Sequence, residues 1–550
     1  MTRSDRTGRK NGIAGNSEPG RAPEDARYRG LLLALASGAL LCLSFPRYGS
    51  ALVAWVALLP LFLAVRDASP LRAFGLGWLA GFSGYAGILY WIVHVVVHYG
   101  QLPVAVGVPV MLLLAAYLGL YVSVFAGILV QLEKRGFPII LAAPLLWTSL
   151  EFVKAHLLSG FPWSNLGASQ YPNLPFIQVA EFTGTYGLTF LVVMANAALF
   201  RLLFDRIDDR RWIREVAACV VLLAAVHGYG WWRIGDIQKK LDGAPSLAVR
   251  LIQGNIEQDV KWDPAYQQET VDIYTSLSRQ AAPPPGSLVV WPETAAPFYF
   301  QDLNDLHRQV VLLPRETTSW LILGSPRYEK REGEIASFNS SFLVSPEGTL
   351  HGRYDKVHLV PYGEYVPFRR IIPFLTALTA GIGDFEPGPG YRALVMGAHR
   401  LGVLICYEGI LAEAGRAYKR QGADLLVNIT NDAWFGRTSA PYQHLSMTVF
   451  RAVESRLFLI RAANTGISAI VDPVGRITAQ TGIFERTTLA GSVKFIDEKT
   501  VYGAYGDIFV YLCLGGTLVV IGFSSSGRFG RPRSSRTDPP RGRQKKEKEP

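Results

Sequence analysis

From residue 31 the chain runs through long apolar stretches separated by short polar ones, and from Ser246 it changes to short apolar runs alternating with amphipathic stretches. A membrane crossing needs about 20 apolar residues. The first pattern predicts roughly eight spans, near 31 to 46, 51 to 65, 74 to 97, 102 to 131, 139 to 157, 187 to 204, 215 to 232 and 506 to 523. The second predicts a soluble α/β domain over 246 to 497. Its strands are expected in SLAVRLIQGN, GSLVVWPE, SWLILGSP, SFNSSFLVSP, LGVLICYE, ADLLVNIT and ISAIVDPVG, and its helices at 265 to 281, 411 to 422 and 443 to 460. SPEG and DPVG supply the Pro and Gly that tight turns require. The expected organisation is a polar tail over 1 to 30, a transmembrane domain of about seven spans over 31 to 232, the soluble domain, a final span over 506 to 523, and a second tail over 524 to 550.

Composition agrees with a membrane protein: 49% of residues are hydrophobic and 18% charged, with a mean hydropathy of +0.19. The formal net charge of +11 raises the question of nucleic acid. The basic residues, however, gather in the two tails and in short loops between apolar runs, where anionic lipid head groups and topology account for them. No nucleic-acid partner is expected. Arg3, Arg6, Arg9, Lys10, Arg21, Arg27 and Arg29 at one end, and Arg528, Arg531, Arg533, Lys545, Lys546 and Lys548 at the other, place both tails in the cytoplasm by the positive-inside rule. Arg66 and Arg72, Lys134 and Arg135, and Arg206, Arg210, Arg211 and Arg214 fall on that same side. With seven spans before it, the soluble domain then faces outward. A polar tail of about 30 residues before the first apolar run argues against a cleaved signal peptide.

Of the four cysteines, Cys42, Cys219 and Cys513 lie in apolar runs as small buried hydrophobes, and only Cys406 lies in the soluble segment. A cysteine that ends an apolar strand is ordinarily a packing residue. Glu293, after Trp291 and Pro292, reads alone as a surface or capping carboxylate. Lys356, in the polar insertion YDKVHLVPYGEYVP, reads alone as a solvated lysine. Together the three residues suggest a thiol nucleophile, a carboxylate to take its proton, and an ammonium to meet the negative charge that develops on an attacked carbonyl. The backbone N–H of Tyr407, next after the nucleophile, is a second oxyanion donor. His358, the histidine read as near these motifs, shares a face with Lys356 if the segment is extended, and a direct base role for it is disfavoured. No His or Cys pair in the soluble part has ligand spacing, so no metal is expected. GIGDFEPGPG follows no strand and opens no helix, which argues against a nucleotide loop.

WPE at 291 to 293, DKVHLVPYGEYVP at 355 to 367, CYE at 406 to 408, NITNDAWFG at 428 to 436 and RAVESRLFLIRAANTGISAIVDPVGR at 451 to 476 closely resemble the apolipoprotein N-acyltransferases, a membrane branch of the nitrilase superfamily. LEFVKAHLLSGFPWSNLGASQY and the single span after the soluble domain extend the resemblance over about residues 30 to 525. Lys154 and Ala168 depart mildly, standing where family members often have Arg and an aromatic residue.

The resemblance implies a polytopic α-helical membrane domain of about eight spans joined to a soluble nitrilase-type α-β-β-α sandwich. It implies a catalytic set of Glu293, Lys356 and Cys406, with Glu364, Tyr407, Glu408 and Trp262 as supporting positions. The implied reaction moves the sn-1 acyl chain of a phospholipid, phosphatidylethanolamine being the expected donor, onto Cys406 as a thioester. The chain then passes to the α-amino group of an S-diacylglyceryl-cysteine, the last step of lipoprotein maturation. No cofactor is needed, because the thioester stores the activation. The implied location is the bacterial inner membrane, multi-pass, with the catalytic domain on the periplasmic face. The rival readings are a membrane-tethered amidase, which the number of spans disfavours, and a catalytically silent lipid-binding protein, which the intact residue set disfavours. IIPFLTALTAGIG, from 371 to 383, reads either as a core helix or as an interfacial lid carrying Phe374, Leu375 and Leu378, with Arg369 and Arg370 before it to meet phosphate groups.

Overall fold

A computed structural model describes residues 24 to 204, 210 to 331, 334 to 361, 363 to 365 and 385 to 525. The proposed lid with Phe374, Leu375 and Leu378, the pair Arg369 and Arg370, and most of both tails lie outside the described residues.

Among the described residues four helices are long and apolar enough to cross a membrane: Val104–Lys134, Ile139–Ser159, Ala180–Phe204 and Trp212–Asp242. A fifth crossing results if Pro70–Ile88 and Trp91–Tyr99, bent by 52°, form one broken span. The expectation of about eight is corrected accordingly. The run near 31 to 46 folds into a helix, Glu24–Cys42, whose first two turns carry Glu24, Asp25, Arg27 and Arg29. Its apolar part spans only about 18 Å at 1.5 Å per residue, against a hydrocarbon core of about 30 Å. The run near 51 to 65 breaks into a 3-10 turn, Val53–Trp55, and a seven-residue helix, Leu59–Val65. Ile508–Phe523 is likewise a shorter apolar helix. Close packing in this part relies on small residues: a Cβ built on Gly81 would sit 2.8 Å from the Cα of Gly119 on the facing helix.

The helix that begins at Arg210 continues past the expected end of its span to Asp242 and leads directly into the first strand. Its polar end is tied down by ions. Arg233 pairs with Glu181 at 3.1 Å and Glu498 at 2.8 Å, Lys240 meets Glu498 at 2.7 Å, and Arg456 meets Glu181 at 2.8 Å. These pairs join a membrane helix to the soluble domain at the point where the chain passes from one to the other.

The soluble domain consists of two six-stranded sheets. The strands are β1 Ser246–Gln253, β2 Leu288–Val290, β3 Trp320–Arg331, β4 Glu334–Val344, β5 Leu350–Asp355, β6 Leu394–Met396, β7 His399–Ile405, β8 Leu425–Thr430, β9 Phe458–Ala463, β10 Ala469–Val471, β11 Ile477–Gln480 and β12 Thr487–Lys494. One sheet has the order β12-β1-β2-β3-β4-β5 and the other β11-β10-β9-β8-β7-β6. The centre of each is parallel, β1-β2-β3 and β7-β8-β9. Strand alternation divides the apolar residues between two cores. Leu288, Val290, Ile322 and Leu343 pack with Leu401, Val403, Val427 and Ile460 of the other sheet. Val289, Trp291, Leu321, Leu323 and Val344 point the other way, onto helices Gln267–Gln280 and Asp305–Thr317.

Two segments fold otherwise than expected. The helix expected over 443 to 460 is two short helices, Ala440–Thr448 and Phe450–Ser455, followed by β9 in the middle of a sheet. The stop is Arg456 at φ 52°, a left-handed conformation without the Gly or Asn that usually marks it. Lys356, read as part of a polar insertion, instead follows β5, an edge strand whose outer half is exposed and therefore lacks a run of apolar residues.

Candidate active site

Glu293, Lys356 and Cys406 follow β2, β5 and β7, so each side chain is carried just beyond the carboxyl end of a strand. Residues there are held by the ladder yet released from its pairing. Cys406 opens a 3-10 turn, Cys406–Ile410, at φ 52°, a conformation that costs a non-glycine residue about 1–3 kcal/mol. The thiol is half-buried at this turn.

Lys356 is fully buried between two carboxylates, 2.8 Å from Glu364 Oε2 and 3.8 Å from Glu293 Oε1. Asn339 bridges the same two, its Nδ2 donating to Glu293 Oε1 at 2.7 Å and to Glu364 Oε1 at 2.9 Å. The Asn431 N–H, just past β8, donates to Glu293 Oε2 at 2.8 Å. Glu293 is therefore fixed from both sheets.

Burial pushes the Glu293 carboxyl above the usual carboxylate range; Lys356 pulls it back and Glu364 adds to the rise. Burial would lower the Lys356 ammonium, but Glu364 and Glu293 outweigh it and hold the lysine charged. Burial, then repulsion from Glu293, raises the Cys406 thiol, with Lys356 opposing. These surroundings favour the proton on sulfur and call for a base to take it during attack.

The supporting positions divide by what they touch. Buried Glu408 is a strut: its Oε1 accepts from Tyr354 Oη at 2.8 Å and from the N–H groups of Val357 and His358 at 2.8 and 3.0 Å, and its Oε2 accepts from the Ile405 N–H at 2.8 Å. It thus clamps the loop after Lys356 to the strand before Cys406. Tyr407 lies between the His358 ring at 5.8 Å and the Trp163 ring at 6.5 Å, both nearly parallel to it. Trp163 belongs to the membrane part and donates from Nε1 to Gln443 Oε1 at 2.8 Å, so the nucleophile turn rests on a membrane residue. Trp262 is 43% exposed, while its neighbour Lys261 is buried and donates to the Glu293 carbonyl at 3.1 Å. Burial lowers the Lys261 amine to about 8, against the pull of Glu293 and Cys406.

Sequence reasoning missed Lys261, Asn339, Asn428 and His444. It took His358 as the histidine near the motifs, yet the His444 ring lies 3.2 Å from the carbonyl oxygen of Cys406. The available signal was the polar content of otherwise apolar segments: Asn428 interrupts LLVNIT, and Gln443 and His444 lie inside a helix nearly all of whose residues are buried. Among the described residues no cluster of His, Cys, Asp and Glu could hold a metal ion.

The family model for the apolipoprotein N-acyltransferase N-terminal domain matches residues 37–198, and that for carbon-nitrogen hydrolase matches residues 248–498. The apolipoprotein N-acyltransferase of Geobacter metallireducens is 49% identical over 496 residues, covering 90% of this chain and 94% of the relative. That of Pasteurella multocida is 33% identical, covering 87% and 92%, and that of Gloeobacter violaceus is 32% identical, covering 94% and 99%. With a helical membrane part and a two-sheet thiol domain each matched in turn, and relatives of this identity aligned across both, the chain belongs to the apolipoprotein N-acyltransferase family.

Proposed function

We propose that the chain moves the sn-1 acyl group of a phospholipid, with phosphatidylethanolamine as donor, through a Cys406 thioester to the α-amino group of a diacylglyceryl-cysteine on a lipoprotein. The observation that carries this reading is Lys356 held between Glu293 and Glu364, beside the one cysteine that lies at a strand end in the soluble domain. Glu293 accepts the thiol proton as sulfur attacks the ester carbonyl. Lys356 and the Tyr407 N–H meet the charge on the carbonyl oxygen. The ester C–O bond then breaks, and Glu293 gives the proton to the departing oxygen, which leaves as the lysophospholipid hydroxyl.

In the second half the acceptor amine attacks the thioester. An α-amino group has a pKa near 8, so it needs a base to remove its proton, and Glu293 serves again. The C–S bond breaks and Cys406 regains its proton. Counting the bent pair as one span gives five crossings before the soluble domain, and on that count we read the domain as lying opposite the basic N-terminal tail. We place that domain on the periplasmic face of a multi-pass inner-membrane protein.

The direct test is the intact mass of the purified protein after exposure to phospholipid with a labelled sn-1 chain. One labelled acyl group, removed by hydroxylamine and discharged by a diacylglyceryl-cysteine peptide, is expected. An adduct that only water discharges would make the protein an amidase-like hydrolase.

Glu364 allows a test of the electrostatics. Because its charge raises the Glu293 carboxyl and competes for Lys356, Glu364→Gln lowers the Glu293 pKa. A base with a lower pKa stays ionised at lower pH. The acid limb of the acylation rate profile is therefore expected to move to lower pH in this variant; a move to higher pH would contradict the pairing described.

A further inference from the structure

The carbonyl of Cys406 is held by two buried side chains that the proposed chemistry does not use. His444 Nε2 lies 3.2 Å from this oxygen and Asn428 Nδ2 donates to it at 3.3 Å. A carbonyl only accepts, so His444 carries its proton on Nε2. The other ring nitrogen faces Asp432 Oδ1 and Arg461 Nη2, each at 3.1 Å, and Arg461 also pairs with Asp432 Oδ2 at 2.8 Å and with Asn428 Oδ1. His444, Asn428, Asp432 and Arg461 are all buried, and they come from a helix, from β8, from the turn after β8 and from β9.

The Cys406–Tyr407 peptide is planar and trans, so its C=O and its N–H point in opposite directions. Fixing the oxygen fixes the direction of the Tyr407 N–H. As one of the first N–H groups of a helical turn, this donor has no acceptor inside the turn. We infer that His444 and Asn428 are positioning residues that aim the Tyr407 N–H at the oxyanion, holding the peptide after the nucleophile against rotation. The inference rests on the proposed oxyanion role of that N–H.

The test compares two reactions of Cys406 in a background lacking the other cysteines. Acylation by an ester builds an oxyanion; alkylation by iodoacetamide does not. His444→Phe keeps a ring against Trp163 and Phe435, at 5.9 and 6.1 Å in the native protein, and leaves Asp432 and Arg461 paired with each other. Acylation is expected to fall about tenfold or more, short of the 10²–10³ seen when an oxyanion donor is removed outright. Alkylation should stay within about twofold. His444→Gln, with an amide N–H to offer, should recover most of the loss.

Unchanged acylation in folded His444→Phe, or equal loss of both reactions, would overturn the inference. If His444→Phe melts at a much lower temperature, Asn428→Asp carries the same comparison, since it replaces the donor with an acceptor of the same shape. Lys356→Met is run alongside. If it too acylates normally, the oxyanion reading itself fails; if it is slow while both positioning variants are normal, only the present inference fails.

Discussion

Cys406→Ala is expected to abolish both acyl transfer and the hydroxylamine-labile adduct, while Cys42→Ala, Cys219→Ala and Cys513→Ala stay near wild type in each. The four thiols differ in surroundings, not in intrinsic chemistry. Cys219 and Cys513 are buried in helices of the membrane part and Cys42 is half-buried in another, with no ionisable partner among the described residues. Cys406 stands at a strand end beside Glu293 and Lys356. Because its thiol is raised well above the usual range, it reacts only where a base removes the proton during attack, and the other three have none. Intact mass and a transfer assay on the four variants decide the matter. Turnover by Cys406→Ala at the wild-type level would end the thioester reading.

Glu293→Gln and Lys356→Met should each slow acylation by on the order of a hundredfold or more. For Glu293→Gln the shape is kept and the proton acceptor is lost. Its two oxygens now accept from Asn339 and from the Asn431 N–H, so an amide in that place must also turn one N–H group toward a donor. For Lys356→Met the loss is double. The ammonium leaves the oxyanion, and two buried carboxylates, Glu293 and Glu364, lose the cation between them. Glu293 then rises further and becomes a base less often ionised. The double variant should therefore fall well short of the product of the two single losses, because both act on one proton transfer. Single-turnover thioester formation at a near-normal rate in both single variants would show the roles to be wrongly assigned.

The strand cores of the soluble domain were legible because short continuous apolar runs bounded by turns report burial on both faces of a sheet. Most of the expected strands appear, and β2 and β7 end where WPE and CYE begin. The catalytic candidates were legible only together: Glu293, Lys356 and Cys406 each read alone as ordinary, and their order and motif context singled them out. Less of the membrane part was readable. Apolar length counts a charged first turn or a broken helix as part of a span, and it overcounted at 31 to 46 and 51 to 65. Lys356 could not be placed at the end of an edge strand, nor Phe458 to Ala463 in a central one, because pairing and the stop at Arg456 are set by neighbours distant in sequence.

By itself, then, the sequence pointed to a helical membrane part before an α/β domain, and it singled out Glu293, Lys356 and Cys406 as candidates for acyl-transfer chemistry. The tertiary structure decided the rest. It put Lys356 between two carboxylates rather than one, so that burial and Glu364 together outweigh the lysine's pull on Glu293. It turned Glu408 into a clamp between the two loops and set Trp163 of the membrane part against Tyr407. It brought Asn428 and His444 onto the carbonyl of the nucleophile from 22 and 38 residues away. Local patterns record what each segment buries; which polar groups meet inside is fixed only when the strand ends converge and each buried donor must find its acceptor.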